Sequence, residues 1–432
     1  MVTTAAIPAE RLLVVNATVV TMAPLAEREG TAACVDDADL GIVRDAALVV
    51  ADGRVRGVGR YADLSHEIAR FQRQPDVETA TYDAAGAVVL PGLVDAHTHA
   101  LFCGERVSDF ESLIAGETPR LGIGYTVERT RAAGYGELMA AGTRHLAWMR
   151  DHGTTTAEVK SGYALDAPGE MRMLAAMADL DSGPASPHVV ATFCGAHALP
   201  PEFHDYDEFV DELCRHILPS VAASGIARFG DAFCERGYFS VQQSRRFLSA
   251  CAAAGLGVRL HADELNQSGG ALLAAELRAS SADHLNFVDS EGVSALAASG
   301  TIAVLCPATG EYLDLARRPP ARQLIEAGVR TALATDFNPG TSPCFSLQRV
   351  AHLARRRLGL SAAETLAALT VWPAISLGAR DAAGSLRRGH PADLIVLEVG
   401  DFREFGYYDG GNIVRAVLVA RPGRPAFLRA SI

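Results

Sequence analysis

The stretch from Asp95 to Arg106, DAHTHALFCGER, sets two histidines one residue apart at the end of the apolar run AVVLPGLVDAHTH, with an arginine a few residues on. On a strand, alternate side chains share a face, so His97 and His99 point the same way. Paired imidazoles of this kind suit Zn2+ or Fe2+, and a catalytic ion leaves one coordination position open for water. His261 in HADE and Asp336 in TDFNPG complete a set of four candidate ligands for one divalent metal per chain. Such an ion lowers the pKa of its water to about 7, and Asp336 could also accept the proton released as that water attacks. Glu264 follows His261 by one short step and is a candidate proton shuttle. His284, in ADHL, could polarise a carbonyl oxygen that becomes an oxyanion.

These residues must be carried by elements that end in the same place. Short apolar strands alternate with Ala/Leu-rich helical stretches, and eight strand candidates end near residues 99, 163, 197, 235, 264, 286, 309 and 340. Intervening segments such as GELMAAGTRHLAWMRDHG and VQQSRRFLSACAAAG show helical spacing and end in glycine. Eight such units predict an α/β fold, a (β/α)8 TIM barrel, whose chemistry sits where strands end. His97, His99, Tyr163, His197, His261, Glu264, His284, Asp336 and Asn338 all fall at those ends. Both termini read as β instead: RLLVVNATVVTM and AALVVADGRVRGVGRYADL are broken by Asn-Ala and Asp-Gly turn signals, and PADLIVLEV and IVRAVLVARPGRPAFL by Pro and Gly. We expect residues 1–87 and 385–432 to form one small composite β-sandwich domain, and residues 88–384 the barrel.

At 432 residues, 49% hydrophobic and 21% charged, the chain has the composition of a soluble globular protein with a sizeable core. A net charge of −12 argues against nucleic-acid or anionic-membrane partners. An acidic small molecule would therefore need a local cation. The eight cysteines contain no C-x-x-C pair, which suggests neither a zinc knuckle nor a disulfide framework and fits a reducing cytoplasm. The opening MVTTAAIPAERLLVV makes a poor signal peptide, and no apolar run reaches membrane-spanning length. Lys160 reads as a structural ion pair, and Cys103 and Cys194 lack an evident base. The eight other histidines fall in helical stretches, turns or strand starts and are given no role.

Taken together, PGLVDAHTHALFCGER, TVERTR, HGTTTAEVKSGY, FCGAHALP, HADELNQSGGA, SADHL, LATDFNPGTSP and the closing ADLIV resemble the amidohydrolase superfamily and, within it, the imidazolonepropionase family, from about Val89 to Asn412. The resemblance implies hydrolysis of a cyclic amide, 4-imidazolone-5-propanoate, to N-formimidoyl-L-glutamate in histidine degradation, by a cytoplasmic homodimer. It also implies that His97, His99, His261 and Asp336 hold the metal. Substrate contacts would come from Arg106, Tyr163, His197, Glu264, Asn338, Gly340 and Thr341, with Arg106 pairing the substrate's carboxylate. Glu264, His284 and Asp336 would be the catalytic groups. Two stretches depart from the family pattern: ETPRLGIGYTVERTR is several residues shorter, with only Gly122 and Gly124 in place of G-G-G-I, and the tail reads EFGYYDGGN. The 117–125 loop borders the substrate, so the ring or its substituent could differ. Alternatives are another carboxylate-bearing heterocycle, a heterocycle aminohydrolase that releases ammonia, or a non-catalytic scaffold, although no ligand is missing.

Overall fold

A computed structural model describes residues 5–9, 11–28, 33–72, 79–118, 121–183, 186–421 and 426–430. Eight parallel strands follow one another round a barrel: Leu93–Asp95, Thr154–Lys160, His188–Ala196, Phe229–Cys234, Gly257–Ala262, Ser281–His284, Ile302–Leu305 and Thr331–Leu333. Each is the β part of one β-then-α unit expected above. The ladder runs unbroken from first to eighth strand, and the seam between them closes just beyond the strand ends. There Asp336 N donates to His97 O at 3.0 Å, and His99 N donates to Phe337 O at 2.9 Å. The backbone pairing that shuts the barrel thus passes through three of the candidate ligands.

Helices cover the barrel for the usual reason, an apolar stripe at helical spacing. In Val241–Ala253, Ser244, Phe247, Leu248 and Cys251 are buried, and Ser240 caps the helix by accepting from Gln243 N. Phe247 meets Phe193 of the third barrel strand edge to face, with ring centroids 5.8 Å apart. Among the described residues no helix is long and apolar enough to cross a membrane.

The two ends of the chain share one mixed nine-stranded sheet outside the barrel. Strand Leu394–Leu397 pairs with Val414–Val419 on one side and with Val88–Pro91 on the other. Its side chains alternate: Ile395 and Leu397 join the barrel's core, while Leu394 and Val396 join a second cluster with Leu12, Val14, Leu48 and Val50. Period-two alternation therefore fastens the sheet to the barrel and gives it a core of its own. The Asp-Gly signal is a tight hairpin, with Asp52 and Gly53 at φ 52° and 66° between Ile42–Ala51 and Arg54–Arg60. The Asn-Ala signal is not a turn. Asn16 at φ 53° bulges one continuous strand, Arg11–Val20, and shifts its register against Ile42–Ala51.

Candidate active site

The mouth of the barrel gathers His97, His99, His261 and Asp336. His97 Nδ1 lies 2.6 Å from Asp283 Oδ2, and His261 Nδ1 lies 3.1 Å from Asp231 Oδ1. An ionised carboxylate only accepts, so each Nδ1 carries the proton and each Nε2 presents a lone pair. Those lone pairs converge. His99 Nε2 is 3.2 Å from His261 Nε2, and Asp336 Oδ1 is 3.5 Å from His97 Nε2 and 3.8 Å from His99 Nε2. His97 Nε2 is buried and, among the described residues, has no hydrogen-bond partner. The ring nitrogens of His97, His99 and His261, within 4.8 Å of one another and with Asp336 Oδ1 beside two of them, suit a divalent cation, since imidazole with carboxylate is a donor set for Zn2+ or Fe2+. Burial and the neighbouring Lys160 and imidazoles hold His97 well below the ordinary histidine pKa. Burial and the imidazoles of His197 and His261 do the same for His99, so both rings are neutral, as ligation requires. Cys194 and Cys306 also approach these groups, but burial raises both thiols well above their ordinary pKa and keeps them protonated.

Beneath this set lies a layer of charge that is wholly buried. Glu158 and Lys160 share a face of the second strand, and Lys160 Nζ reaches Glu158 at 2.8 Å, Asp231 at 2.5 Å and Asp283 at 3.7 Å. Burial works against the ammonium charge, but the facing carboxylates outweigh it and raise the Lys160 pKa. Arg259 adds contacts to Glu158 at 3.0 Å and Asp283 at 3.6 Å, and donates to Ala96 O at 2.7 Å, next to His97. Lys160 is thus an ion-pair lysine, as expected. The residues that orient His97 and His261, namely Asp283 and Asp231, were not singled out from the sequence. Asp283 immediately precedes His284, and on a regular strand the two would face opposite ways. His284 at φ 74° interrupts the alternation and lets both serve the interior.

Above the candidate ligands a cavity of about 210 Å³ is lined by Arg106, Tyr163, His197, Glu264, His284, Asn338 and Thr341, together with His99, His261 and Asp336. Burial, with Asp336 nearby, pushes the Glu264 pKa up to about 8, so it holds a proton at neutral pH. His284 Nε2 is 3.7 Å from Glu264 Oε2, and burial keeps this imidazole neutral. His197 Nδ1 donates to Gly162 O at 3.0 Å, which turns its other nitrogen's lone pair outward from that loop, and its ring stacks on His99. The Ser161–Leu165 loop that presents Tyr163 is tied down by Glu170, whose carboxylate accepts from Gly162 N, Ala164 N and Leu165 N. Asn338 spends its side chain inside the last loop, accepting from Gly340 N and Thr341 N and donating to Asp336 O. Thr309 Oγ1 donates to Asp336 Oδ2 at 2.7 Å, which leaves Oδ1 toward the imidazoles. Gly340 does not line the cavity but lies directly against the Arg106 guanidinium. Of the short 117–125 loop, residues 119 and 120 fall outside the described residues, and Ile123 reaches the cavity wall. Phe233, Tyr238, Leu265 and Leu313 complete the wall, and nothing in their local sequence distinguishes them from core residues.

Residues 88–420 match the amidohydrolase family. The chain is 45% identical to the imidazolonepropionase of Rubrobacter xylanophilus over 390 residues, covering 89% of this chain and 92% of that one. It is 42% identical to that of Bacillus velezensis, covering 88% and 89%, and 37% identical to that of Bdellovibrio bacteriovorus, covering 95% of each. Among solved structures, an adenosine deaminase of Xanthomonas campestris with bound zinc superposes with a TM-score of 0.68 at 20% identity, covering 96% of this chain and 92% of that one. Escherichia coli guanine deaminase gives 0.69 at 16%, covering 96% and 98%. The structural likenesses speak for the barrel and its outer sheet; the sequence relatives speak for a narrower kinship. The chain belongs to the amidohydrolase family and, within it, to the imidazolonepropionases, metal-dependent hydrolases of carbon–nitrogen bonds.

Proposed function

We propose that this chain hydrolyses 4-imidazolone-5-propanoate to N-formimidoyl-L-glutamate in histidine degradation, using one Zn2+ or Fe2+ held by His97, His99, His261 and Asp336. The observation that carries the reading is the pairing of opposite ends in one cavity: convergent imidazoles and a carboxylate at its floor, a guanidinium, Arg106, in its wall. When bound, the ion supplies a water of pKa about 7 and polarises a carbonyl. Arg106 pairs with the propanoate carboxylate and so fixes which ring atom faces the floor. Tyr163 and His197 flank the ring. Asp336 Oδ1 takes a proton from the attacking water, and a His284 N–H steadies the negative charge growing on the carbonyl oxygen. The ring C–N bond breaks, and the nitrogen leaves with a proton delivered by Glu264, which is neutral beforehand. Asn338, Gly340 and Thr341 shape the loop against which the substrate rests.

We propose with this a homodimer, as the family resemblance implies, in a cytoplasmic setting that the free state of all eight cysteines supports, and without nucleic-acid or anionic-membrane partners, which the net charge of −12 disfavours. The division into 1–87 plus 385–432 and 88–384 is likewise proposed. Its first boundary moves by a few residues, because Val88–Pro91 still pairs in the outer sheet and the chain crosses to the barrel at Gly92. To test the function, 4-imidazolone-5-propanoate is generated in place from urocanate and its disappearance followed against spontaneous decay. Rapid loss without ammonia is the expected result. Loss no faster than the blank, or stoichiometric ammonia, would defeat the reading.

A further inference from the structure

Arg106 is held from two sides before any ligand arrives. It stands immediately before the helix Val107–Ile114, and Asp109, in the first turn of that helix, is only 2% exposed. Asp109 Oδ2 accepts from Arg106 Nε at 2.7 Å and from Gly122 N at 3.0 Å, while Oδ1 accepts from Leu121 N at 2.8 Å. One buried carboxylate therefore grips both the arginine and the short loop that carries Ile123 into the cavity wall. On the other side, a Cβ built on Gly340 would stand 2.1 Å from Arg106 Nη1, so the guanidinium packs against a backbone that only glycine leaves open. With Nε engaged by Asp109, the two terminal nitrogens are the donors left to meet a ligand. A bidentate pair needs both of them fixed in direction. Among the described residues lining the cavity, Arg106 is also the one permanent cation.

We propose that Asp109 is a positioning residue that makes the site selective for heterocycles bearing a single carboxylate, by aiming the terminal nitrogens of Arg106 across Gly340 into the cavity. The inference rests on the reading of Arg106 as the carboxylate clamp. Asp109 is not among the residues that line the cavity. Its second task is to seat Leu121 and Gly122, so closure of the short loop and recognition of the acid depend on the same side chain. The substrate's carboxylate is remote from the bond that breaks, and misaiming its anchor costs binding and orientation rather than the chemistry of the floor.

The test compares the metal-loaded full chain on 4-imidazolone-5-propanoate and on its uncharged propanamide. The readout is the ratio of kcat/KM for acid over amide. Asp109→Asn should lower this ratio about ten-fold, chiefly by raising KM for the acid, because an amide oxygen holds a guanidinium more weakly than a carboxylate does. Gly340→Ala, which leaves Asp109 intact, should lower the ratio in the same way by pushing Arg106 aside, and it stands in if the Asn variant fails to fold. Asp109→Glu should recover part of the ratio. Arg106→Met serves as the reference: if it leaves the ratio unchanged, Arg106 is no clamp and both readings fall. If it collapses the ratio while Asp109→Asn and Gly340→Ala preserve it, the clamp stands and the proposal for Asp109 is wrong. A uniform loss on acid and amide alike in these two variants also overturns it, since that marks a merely structural role.

Discussion

Replacing Lys160 by Met removes the ammonium at the centre of the buried charge layer while keeping a side chain of similar length. Lys160 lies 2.8 Å from Glu158, 2.5 Å from Asp231 and 3.7 Å from Asp283, all of them fully buried. Arg259 still serves Glu158 and Asp283, so the loss falls on Asp231, which among the described residues keeps only the His261 ion pair. Breaking a buried pair by removing one partner costs about 3–5 kcal/mol. At about 2 °C per kcal/mol for a large chain, the expected fall in Tm is about 6–10 °C. The measurement is thermal unfolding of metal-free protein, which removes the ion's own contribution to stability. Asp231→Asn in the Lys160→Met background withdraws the stranded charge and should return about 2 kcal/mol. A Lys160→Met protein within about 2 °C of the parent, or a double variant destabilised by the sum of both changes, would refute the argument that this layer is held by mutual neutralisation.

Asp336→Asn should keep the fold and lose turnover, because on the proposed reading a ligand and a proton acceptor go together; elemental analysis with an activity assay decides, and an active variant contradicts the assignment. Glu264→Gln and His284→Asn should purify with near-normal metal and lose about 100-fold or more in kcat; metal loss repaired by added metal would make either residue a ligand instead. Arg106→Lys should lower kcat/KM about ten-fold or more, since an ammonium cannot reproduce a bidentate pair, and equal activity on the acid would count against the clamp. His188, at the start of the third barrel strand, lies 3.4 Å from Asp393 beneath the outer sheet. Burial opposes its charge, but Asp393 outweighs burial and raises its pKa above the ordinary value. The pair therefore stabilises the fold fully below about pH 6.5 and ceases to do so as pH rises through the higher folded value. Tm measured against pH should show this decline in the parent and lack it in His188→Gln; identical slopes would exclude the linkage.

What the sequence discloses and what it hides divide along a physical line. His97, His99, His261, Glu264, His284 and Asp336 are legible because four strands of an eightfold repeat deliver their polar residues to the same end, and a repeated rule of that kind survives errors in any one strand. The orienting carboxylates are not legible in the same way. Asp283 serves His97 across 186 residues and Asp231 serves His261 across 30, and no local pattern marks either partnership. Lys160 was readable as an ion pair but not its three partners, since the register of neighbouring strands decides who faces whom. Asp109 was missed although it is close to Arg106, because its other partners, Leu121 and Gly122, lie across a loop whose path no local pattern sets. Asn-Ala signals a turn in the sequence but a bulge in the structure, because the left-handed conformation that ends a strand also makes a bulge within one.

The most direct test of the account is a metal titration of the chelated chain with 4-imidazolone-5-propanoate consumption followed at each addition of Zn2+ or Fe2+. Activity should rise linearly, break at one equivalent per chain and yield N-formimidoyl-L-glutamate with no ammonia. Full activity in the chelated protein, a break at two equivalents, or ammonia among the products would contradict the single hydrolytic ion held by His97, His99, His261 and Asp336.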